Sequence, residues 1–220
     1  MKTEEYILET AFRLFLEKGF SDSSTNAIIR EAQSTKGGFY HCFESREDLI
    51  LQVIEKYLKP YYVSPIKNMK QAWEQRTDDV STKTLLWEVF FAPQLFSVYQ
   101  KEIDMNFAFR DFYCLLYEGI KKYEVIQKLL TENTKQREYY LRCVLERGKQ
   151  RNEIAEQVDI DSCVMMTLAM QDGILALKVL DYQIDDEQKY HYIEEQLWRD
   201  IATQEAYQKY LHGGVNRAVS

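Results

Sequence analysis

Glycine and proline are scarce in this chain, with 8 and 3 among 220 residues. Leu, Glu, Lys and Gln are abundant instead, so the composition favours helix over sheet. Histidine is equally rare: His41, His191 and His212 are the only three. Neither His191 nor His212 has a Glu three positions before it, which removes the paired Glu-x-x-His signature of a di-iron helical bundle. The four cysteines, Cys42, Cys114, Cys143 and Cys163, are far apart and form no CxxC pair. That spacing fits neither a zinc site nor a disulfide scaffold and suits free thiols in a reducing cytosol. No glycine-rich phosphate loop and no nucleophile–base constellation can be assembled, so catalysis is not expected. The first residues, Met-Lys-Thr-Glu-Glu-Tyr, lack the basic region and apolar run of a secretory signal. No uninterrupted apolar run approaches the roughly 18 residues of a membrane span, so no membrane partner is expected.

What the chain does have is 45% hydrophobic and 14% aromatic residues, including 16 Tyr, enough to bury a core and to argue against disorder. The formal net charge of -7 excludes a protein that coats nucleic acid over its whole surface. A local basic face remains open. Between Ser24 and Arg46 the charges are Arg30, Lys36 and Arg46 against Glu31 and Glu44, while acid gathers around Asp78-Asp79, Asp159-Asp161 and Asp185-Glu187.

The first helix is predicted from Thr3 to Lys18. Ile7, Ala11, Leu14 and Phe15 fall on one face, Thr3 caps the start, and Gly19 ends it with Phe20 folding back on Phe15. Ser23 or Ser24 caps a short second helix anchored by Ile28 and Ile29, and Gln33-Ser34 make a tight turn. A third helix follows through Thr35-Lys36-Gly37-Gly38-Phe39-Tyr40-His41-Cys42-Phe43, with Thr35 at its N-cap and Phe39 and Phe43 sharing the buried face. Glycines in a first turn that also presents Lys, Tyr and His suit close approach to an anion such as phosphate. Two short helices joined by a tight turn behind a longer one make a helix-turn-helix. Ser45 caps a fourth helix carrying Leu49, Ile50, Val53, Ile54, Tyr57 and Leu58, which Pro60 is expected to stop.

These residues resemble the DNA-binding domain of the TetR family of bacterial transcription regulators. The likeness runs without a gap over residues 7 to 50: Ile7-Leu8 with Ala11 and Phe15, Gly19-Phe20, Ser24, Ile28, Ala32, Thr35-Lys36-Gly37, Phe39-Tyr40 with Phe43, and Ser45-Arg46-Glu47-Asp48-Leu49. Three positions depart from it. Gln33-Ser34 stand where Gly-Val is usual, which asks Gln33 to accept a strained backbone. Ile29 replaces an Ala, and Asn26 occupies a position that is often Arg.

The resemblance implies an all-α protein with a DNA-binding domain over 1–46, a helical effector-binding and dimerisation domain over 47–212 and a flexible tail over 213–220. It implies a cytoplasmic homodimeric regulator, most often a repressor, that associates with the nucleoid when bound to DNA. A small apolar or aromatic effector would release it from a pseudo-palindromic operator, and no cofactor or metal is called for. Phosphate contacts fall to Ser24, Thr35, Tyr40 and Arg46, and base contacts to Lys36, then Asn26 and His41, with Thr25, Gly37 and Gly38 completing the DNA-binding set.

Past Pro60 the pattern is less specific. Ser64-Pro65 reads as the start of a helix to about Arg76, and Ser81 opens another that Pro93 bounds. Longer helices are expected over 103–130, with a break near Gly119, over 134–151, from Asp159 or Asp161 to Leu180, and over 187–211. In the family the last two long helices pair with their copies as a four-helix bundle, which places Met170, Gly173, Leu177, Ile193, Leu197 and Ile201 at a subunit interface. Tyr62, Trp73, Trp87, Phe91, Phe109, Tyr113, Tyr117, Met166 and Met170 are the candidate effector pocket, with plain core as their alternative role. A ligand carrier that has lost DNA binding is the competing function.

Overall fold

The computed structural model describes residues 4–91, 105–180 and 187–213, without the side chains of 90–91, 187–190 and 211–213. The expected Thr3 cap, the Pro93 boundary, the start at Ile103, the Phe91 side chain and the tail beyond Gly213 lie outside the described residues. Among the described residues every element is helical: α1 (Glu4–Asp22), α2 (Thr25–Glu31), α3 (Lys36–Cys42), α4 (Arg46–Val53), α5 (Lys59–Glu74), α6 (Thr82–Leu86), α7 (Phe109–Lys122), α8 (Glu124–Gln150), α9 (Ile160–Val179), α10 (Glu187–Ile201) and α11 (Gln204–Gly213). Five-residue π turns follow α4 (Ile54–Leu58) and α6 (Trp87–Phe91). The all-α expectation holds.

The chain divides into two compact units. The first unit takes in Met1–Ser64, Leu95–Asn133 and Lys178–Tyr182. Helix α1 is its shaft: Ile7, Ala11, Phe12, Phe15 and Phe20 are fully buried. Gly19, at φ +78°, breaks the regular turn inside α1, so the chain reverses and Phe20 lies 5.1 Å from Phe15, ring to ring. Phe12 stacks on Tyr57 at 4.5 Å and meets Phe107 edge-on at 5.5 Å. Helix α7 packs its Phe112, Leu115 and Leu116 face inward, and the Tyr61 and Tyr113 hydroxyls sit 3.2 Å apart. Burial pushes the Tyr113 phenol well above its usual pKa, so it stays neutral.

The second unit takes in Pro65–Gln94, Thr134–Leu177 and Gln183–Ser220. Its core is Met69, Leu85, Leu86, Val89, Tyr140, Leu141, Val144, Leu145, Ile154, Val164, Trp198 and Ile201. A buried lysine lies within it. Lys83 has a 4% exposed side chain and approaches Glu195 at 3.1 Å and the equally buried Glu194 at 3.8 Å, with the Tyr210 ring 3.5 Å away. A charge withdrawn from water needs such partners.

Four helix boundaries differ from expectation. Pro60 does not end a helix, because α4, the π turn and α5 run on without a break, and Pro65 lies inside α5. A π turn widens the helix just before Pro60, which eases the clash between a proline ring and the carbonyl four residues earlier. The break expected near Gly119 falls at Tyr123, between α7 and α8. Gly119 stays helical, and a Cβ there would lie 2.3 Å from Ile126 and 3.2 Å from Phe20, so its role is close packing. The helices expected over the end of 103–130 and over 134–151 are joined as α8. The last expected helix is two, because Thr203 caps α11 through Ala206 N–H.

Helix α9 is more apolar than the count of uninterrupted apolar residues suggests. An 18-residue window of it reaches a mean hydropathy of 1.3, long and apolar enough by length and composition to cross a bilayer. A count of uninterrupted apolar residues overlooked this, because Asp161 and Asp172 punctuate the run. Both are paired, with Arg142 at 2.6 Å and Arg137 at 2.9 Å, while Cys163, Val164 and Thr167 enter the core.

Gln33 adopts φ +49°, the left-handed conformation expected of it. Replacing it with Gly should stabilise the protein by about 0.5–1 kcal/mol, read as a higher urea midpoint at unchanged slope. Lys83→Ala, which removes the buried ammonium beside Glu194 and leaves a cavity, should destabilise by about 3–5 kcal/mol, and Lys83→Met, which fills the cavity without restoring the charge, should recover only part of that in urea titrations.

Candidate nucleic-acid interface

The sequence from Gly19 to Arg46 folds into three turns, each opened by a side-chain cap. Ser24 accepts Ala27 N–H at 3.2 Å, Thr35 accepts Gly38 N–H at 3.0 Å, and Ser45 accepts Asp48 N–H at 3.0 Å. Ser23, the other candidate cap, is buried and donates to the carbonyls of Leu14 and Gly19, closing the end of α1 instead. Ala32 N–H bonds Ile28 C=O at 2.8 Å and Ser34 N–H bonds Ile29 C=O at 2.9 Å, which fixes the turn between α2 and α3. Ile28, Phe39 and Phe43 anchor the two helices against α1, leaving the opposite faces outward.

Those faces form an open cleft of about 540 Å³ lined by Ser21, Ser24, Thr25, Asn26, Ile29, Lys36, Tyr40 and Arg46. Six of the ten predicted contact residues therefore come together around one hollow. Tyr40 is 58% exposed, with its ring edge-on to Phe39 at 5.2 Å. Thr35, Gly37 and His41 are exposed on α3 beside the cleft but do not line it. A Cβ on Gly37 would meet nothing within 4 Å, so the surface there is bare backbone that a partner can approach closely. Gly38 has a local reason to lack a side chain, since a Cβ would lie 3.0 Å from Ser34 Oγ and 3.2 Å from Thr35 Oγ1.

Arg46 is half-buried, and its Nη2 donates to the carbonyls of Phe20 and, at 3.3 Å, Ser23. A guanidinium has five N–H donors in a fixed fork, so the others remain for an anion in the cleft. With the caps of α2 and α3, Lys36 and Arg46 supply backbone N–H groups and cationic side chains around a single opening.

Two contributors were missed by sequence reasoning. Ser21 lines the cleft; the polar run Ser21-Asp22-Ser23-Ser24 after Gly19 was its only signal. Glu118 on α7 accepts Phe20 N–H at 2.8 Å, Ser21 N–H at 2.9 Å and the Ser21 hydroxyl, and pairs with Lys122 at 2.7 Å. Nothing local marks it, being 97 residues from Ser21. Burial pushes the Glu118 carboxyl up, but Lys122, the Ser21 hydroxyl and the two backbone N–H groups outweigh it and hold the pKa down to about 2.

The other predicted sites are scattered. Tyr62, Phe109 and Tyr113 belong to the first unit, where Phe109 lies 4.5 Å from Tyr113; Tyr117 there is 54% exposed. Trp73, Trp87 and Met170 pack against the second unit's core, Trp87 stacking on His191 at 3.6 Å, and Met166 is 63% exposed. None of the eight with described side chains lines the cleft above or the second hollow, bounded by Glu138, Arg142, Asp161, Val164, Met165, Leu168 and Ala169. Among the candidate interface residues, Ile201 is buried in its own chain with Trp198 and Ile154, where α10 turns that edge inward. Ile193 and Leu197 pack partly against the same core, whereas Gly173 and Leu177 are exposed.

The profile of the bacterial regulatory proteins, tetR family, matches residues 7–53, which span α1 to α4. Over that segment the chain matches the TetR family. The TetR-family relative YuxN, an HTH-type transcriptional regulator of Bacillus subtilis (strain 168), is 32% identical over 85 residues, 39% of this chain and 29% of that protein. The chain thus matches less than a third of that relative's length. Among solved structures, SmeT, the repressor of the Stenotrophomonas maltophilia multidrug efflux pump SmeDEF, superposes with a TM-score of 0.61 at 15% identity, covering 94% of this chain and 93% of its own. The ketosteroid transcriptional regulator KstR2 of Mycobacterium tuberculosis gives 0.59 at 15% identity, covering 91% and 95%. At these identities the likeness is one of fold, and it extends well beyond the matched TetR-family segment.

Two outcomes check this geometry. Thr35→Ala removes the α3 cap and should cost about 1 kcal/mol of stability. Glu118 has a lower pKa folded than unfolded, so its stabilisation is present above the unfolded value near 4.5 and fades as pH falls toward about 2. Urea titrations across that window should show wild type losing stability that Glu118→Gln lacks throughout.

Proposed function

We propose that this TetR-family protein is a sequence-specific DNA-binding transcriptional regulator, acting as a repressor and released by a small molecule. The observation that carries the reading is the cleft between α2 and α3, where capped helix starts, Lys36, Tyr40 and Arg46 converge on a protein of net charge -7. A local cationic hollow on an acidic body suits one defined polyanion contact, because the rest of the surface repels it. Ser24, Thr25, Thr35, Gly37, Gly38, Tyr40 and Arg46 hold phosphates, and Lys36 reads guanine in the major groove with Asn26 and His41 beside it.

The uncovered face of α9 supports a homodimer. Met165, Met166 and Leu177 are exposed on it, and Gly173 has open space where a Cβ would be. Two copies joined there would present two α3 helices to successive major grooves, about 34–36 Å apart on a pseudo-palindrome. The name of KstR2 points to a steroid and that of SmeT to efflux of drugs. With those neighbours, the aromatic residues of this chain favour an apolar or aromatic effector. Population shift is the mechanism: effector binding favours a conformer whose reading helices no longer match the operator. A cytoplasmic location follows from that role, with the protein on the nucleoid when bound to its operator.

The test is selection of purified protein against random duplex DNA. An enriched inverted repeat is expected, and Lys36→Ala should then bind it more weakly by about 1–3 kcal/mol and with relaxed base preference. No enrichment at low salt from a folded dimer would favour a ligand carrier instead.

A further inference from the structure

The peptide group between Phe20 and Ser21 is held at both edges by charged side chains distant in sequence. Its N–H, that of Ser21, donates to Glu118 Oε1 at 2.9 Å, and its C=O, that of Phe20, accepts from Arg46 Nη2. The preceding peptide donates its N–H, that of Phe20, to the other Glu118 oxygen at 2.8 Å. A carboxylate, one peptide plane and a guanidinium are thus in series, and each bond polarises the next in the same sense. Arg46 closes the cleft at the far end of this series, and Ser21, bound to Glu118 through both N–H and hydroxyl, lines the same cleft.

Space for this arrangement is reserved by Gly19. Its φ of +78° suits glycine, and a Cβ there would lie 2.2 Å from Glu118 Oε2. The carboxylate occupies the volume that any other residue would fill. Lys122, one turn further along α7, bonds both Glu118 and the Ser21 hydroxyl and holds the acid in place.

We propose that Glu118 is a positioning residue for phosphate binding: it sets Arg46 and Ser21 through the Phe20–Ser21 peptide, so the cleft is assembled only while α7 is seated on the α1–α2 turn. This rests on the DNA-binding reading above. It extends the interface to a residue of α7 that does not line the cleft. The seat of α7 becomes part of the DNA site.

Charge alone predicts the opposite sign for removing Glu118. A carboxylate bonded to a cleft-lining serine repels an incoming phosphate, since screening at 0.1 M salt acts over about 10 Å. Neutralising it would then tighten binding, whereas loss of positioning weakens it.

The experiment measures fluorescence anisotropy of the repeat-bearing duplex enriched by wild-type protein, across a salt series, for wild type, Glu118→Gln, Arg46→Ala and the double variant. Glu118→Gln should bind about 10-fold more weakly, with a salt slope smaller by about 1 per subunit, as expected when one phosphate contact is lost. The double variant should bind no more weakly than Arg46→Ala alone, because both act on one contact. Glu118→Asp, which keeps the charge on a shorter stem, should fall between wild type and Glu118→Gln, and it carries the test if Glu118→Gln fails to fold. Unchanged or tighter binding by the Gln and Asp variants, or effects of Glu118→Gln and Arg46→Ala that add in full, would overturn the proposal. A wild-type protein that binds no duplex overturns the DNA reading itself, and this inference with it.

Discussion

Burial of α1 is the constraint on which the first unit depends. Ile7, Ala11, Phe12, Phe15 and Phe20 are all withdrawn from water, and together they face several neighbours. One side receives α2, α3 and α4, and another receives α7. Apolar burial at roughly 25 cal/mol per Å² makes this helix a large contributor to the unit, and its position sets where the short helices stand. Helices α2 and α3 have seven residues each, too short to be stable alone. They exist because Ile28, Phe39 and Phe43 pack here and because serine and threonine caps satisfy their free N–H groups. The cleft follows from that packing, since what remains outward on two helices so anchored is Ser24, Asn26, Lys36 and Tyr40.

The part of the fold legible in the sequence is the part governed by local rules. Gly19 after an amphipathic run, Ser24, Thr35 and Ser45 before short apolar pairs, and the strained Gln33 are read from neighbours within four residues, and the structure bears each of them out. The family was legible for the same reason, because its signature lies almost wholly in that segment. What the sequence did not reveal was non-local or competitive. Pro60 and Pro65 look like punctuation, yet the surrounding core holds the helix together through them. Ile201 and Ile193 have the spacing of an interface stripe, but spacing cannot say whether the stripe meets its own chain or another. Glu118 was invisible because a hydrogen bond across 97 residues leaves no pattern in composition or period.

The aromatic residues show the same limit from another side. Their number correctly indicated a well-packed interior, with Phe12 on Tyr57 and Tyr61 against Phe112. It did not indicate which of them would be neighbours. Candidates drawn from one list are divided between two compact units, and Tyr117 and Met166 face solvent. An aromatic side chain can complete a core or line a pocket with the same chemistry, so residue type separates these roles poorly without the surrounding backbone.

The π turn at Ile54–Leu58 can be restated as a correction of phase. The buried pairs Leu49-Ile50, Val53-Ile54 and Tyr57-Leu58 recur every four residues, whereas an α-helix turns once in about 3.6. At about 100° per residue, each step of four overshoots the core by about 40°, and two steps would carry the last pair about 80° off axis. A wider turn absorbs the excess and keeps all three pairs on one line. The same arithmetic says which length changes the segment tolerates. Deleting one residue removes about 100° of winding, and relaxation of the wide turn to regular winding restores most of it, so the later side chains of α5 keep their faces. Adding one residue has no such relief and would swing them by about 100° around the axis.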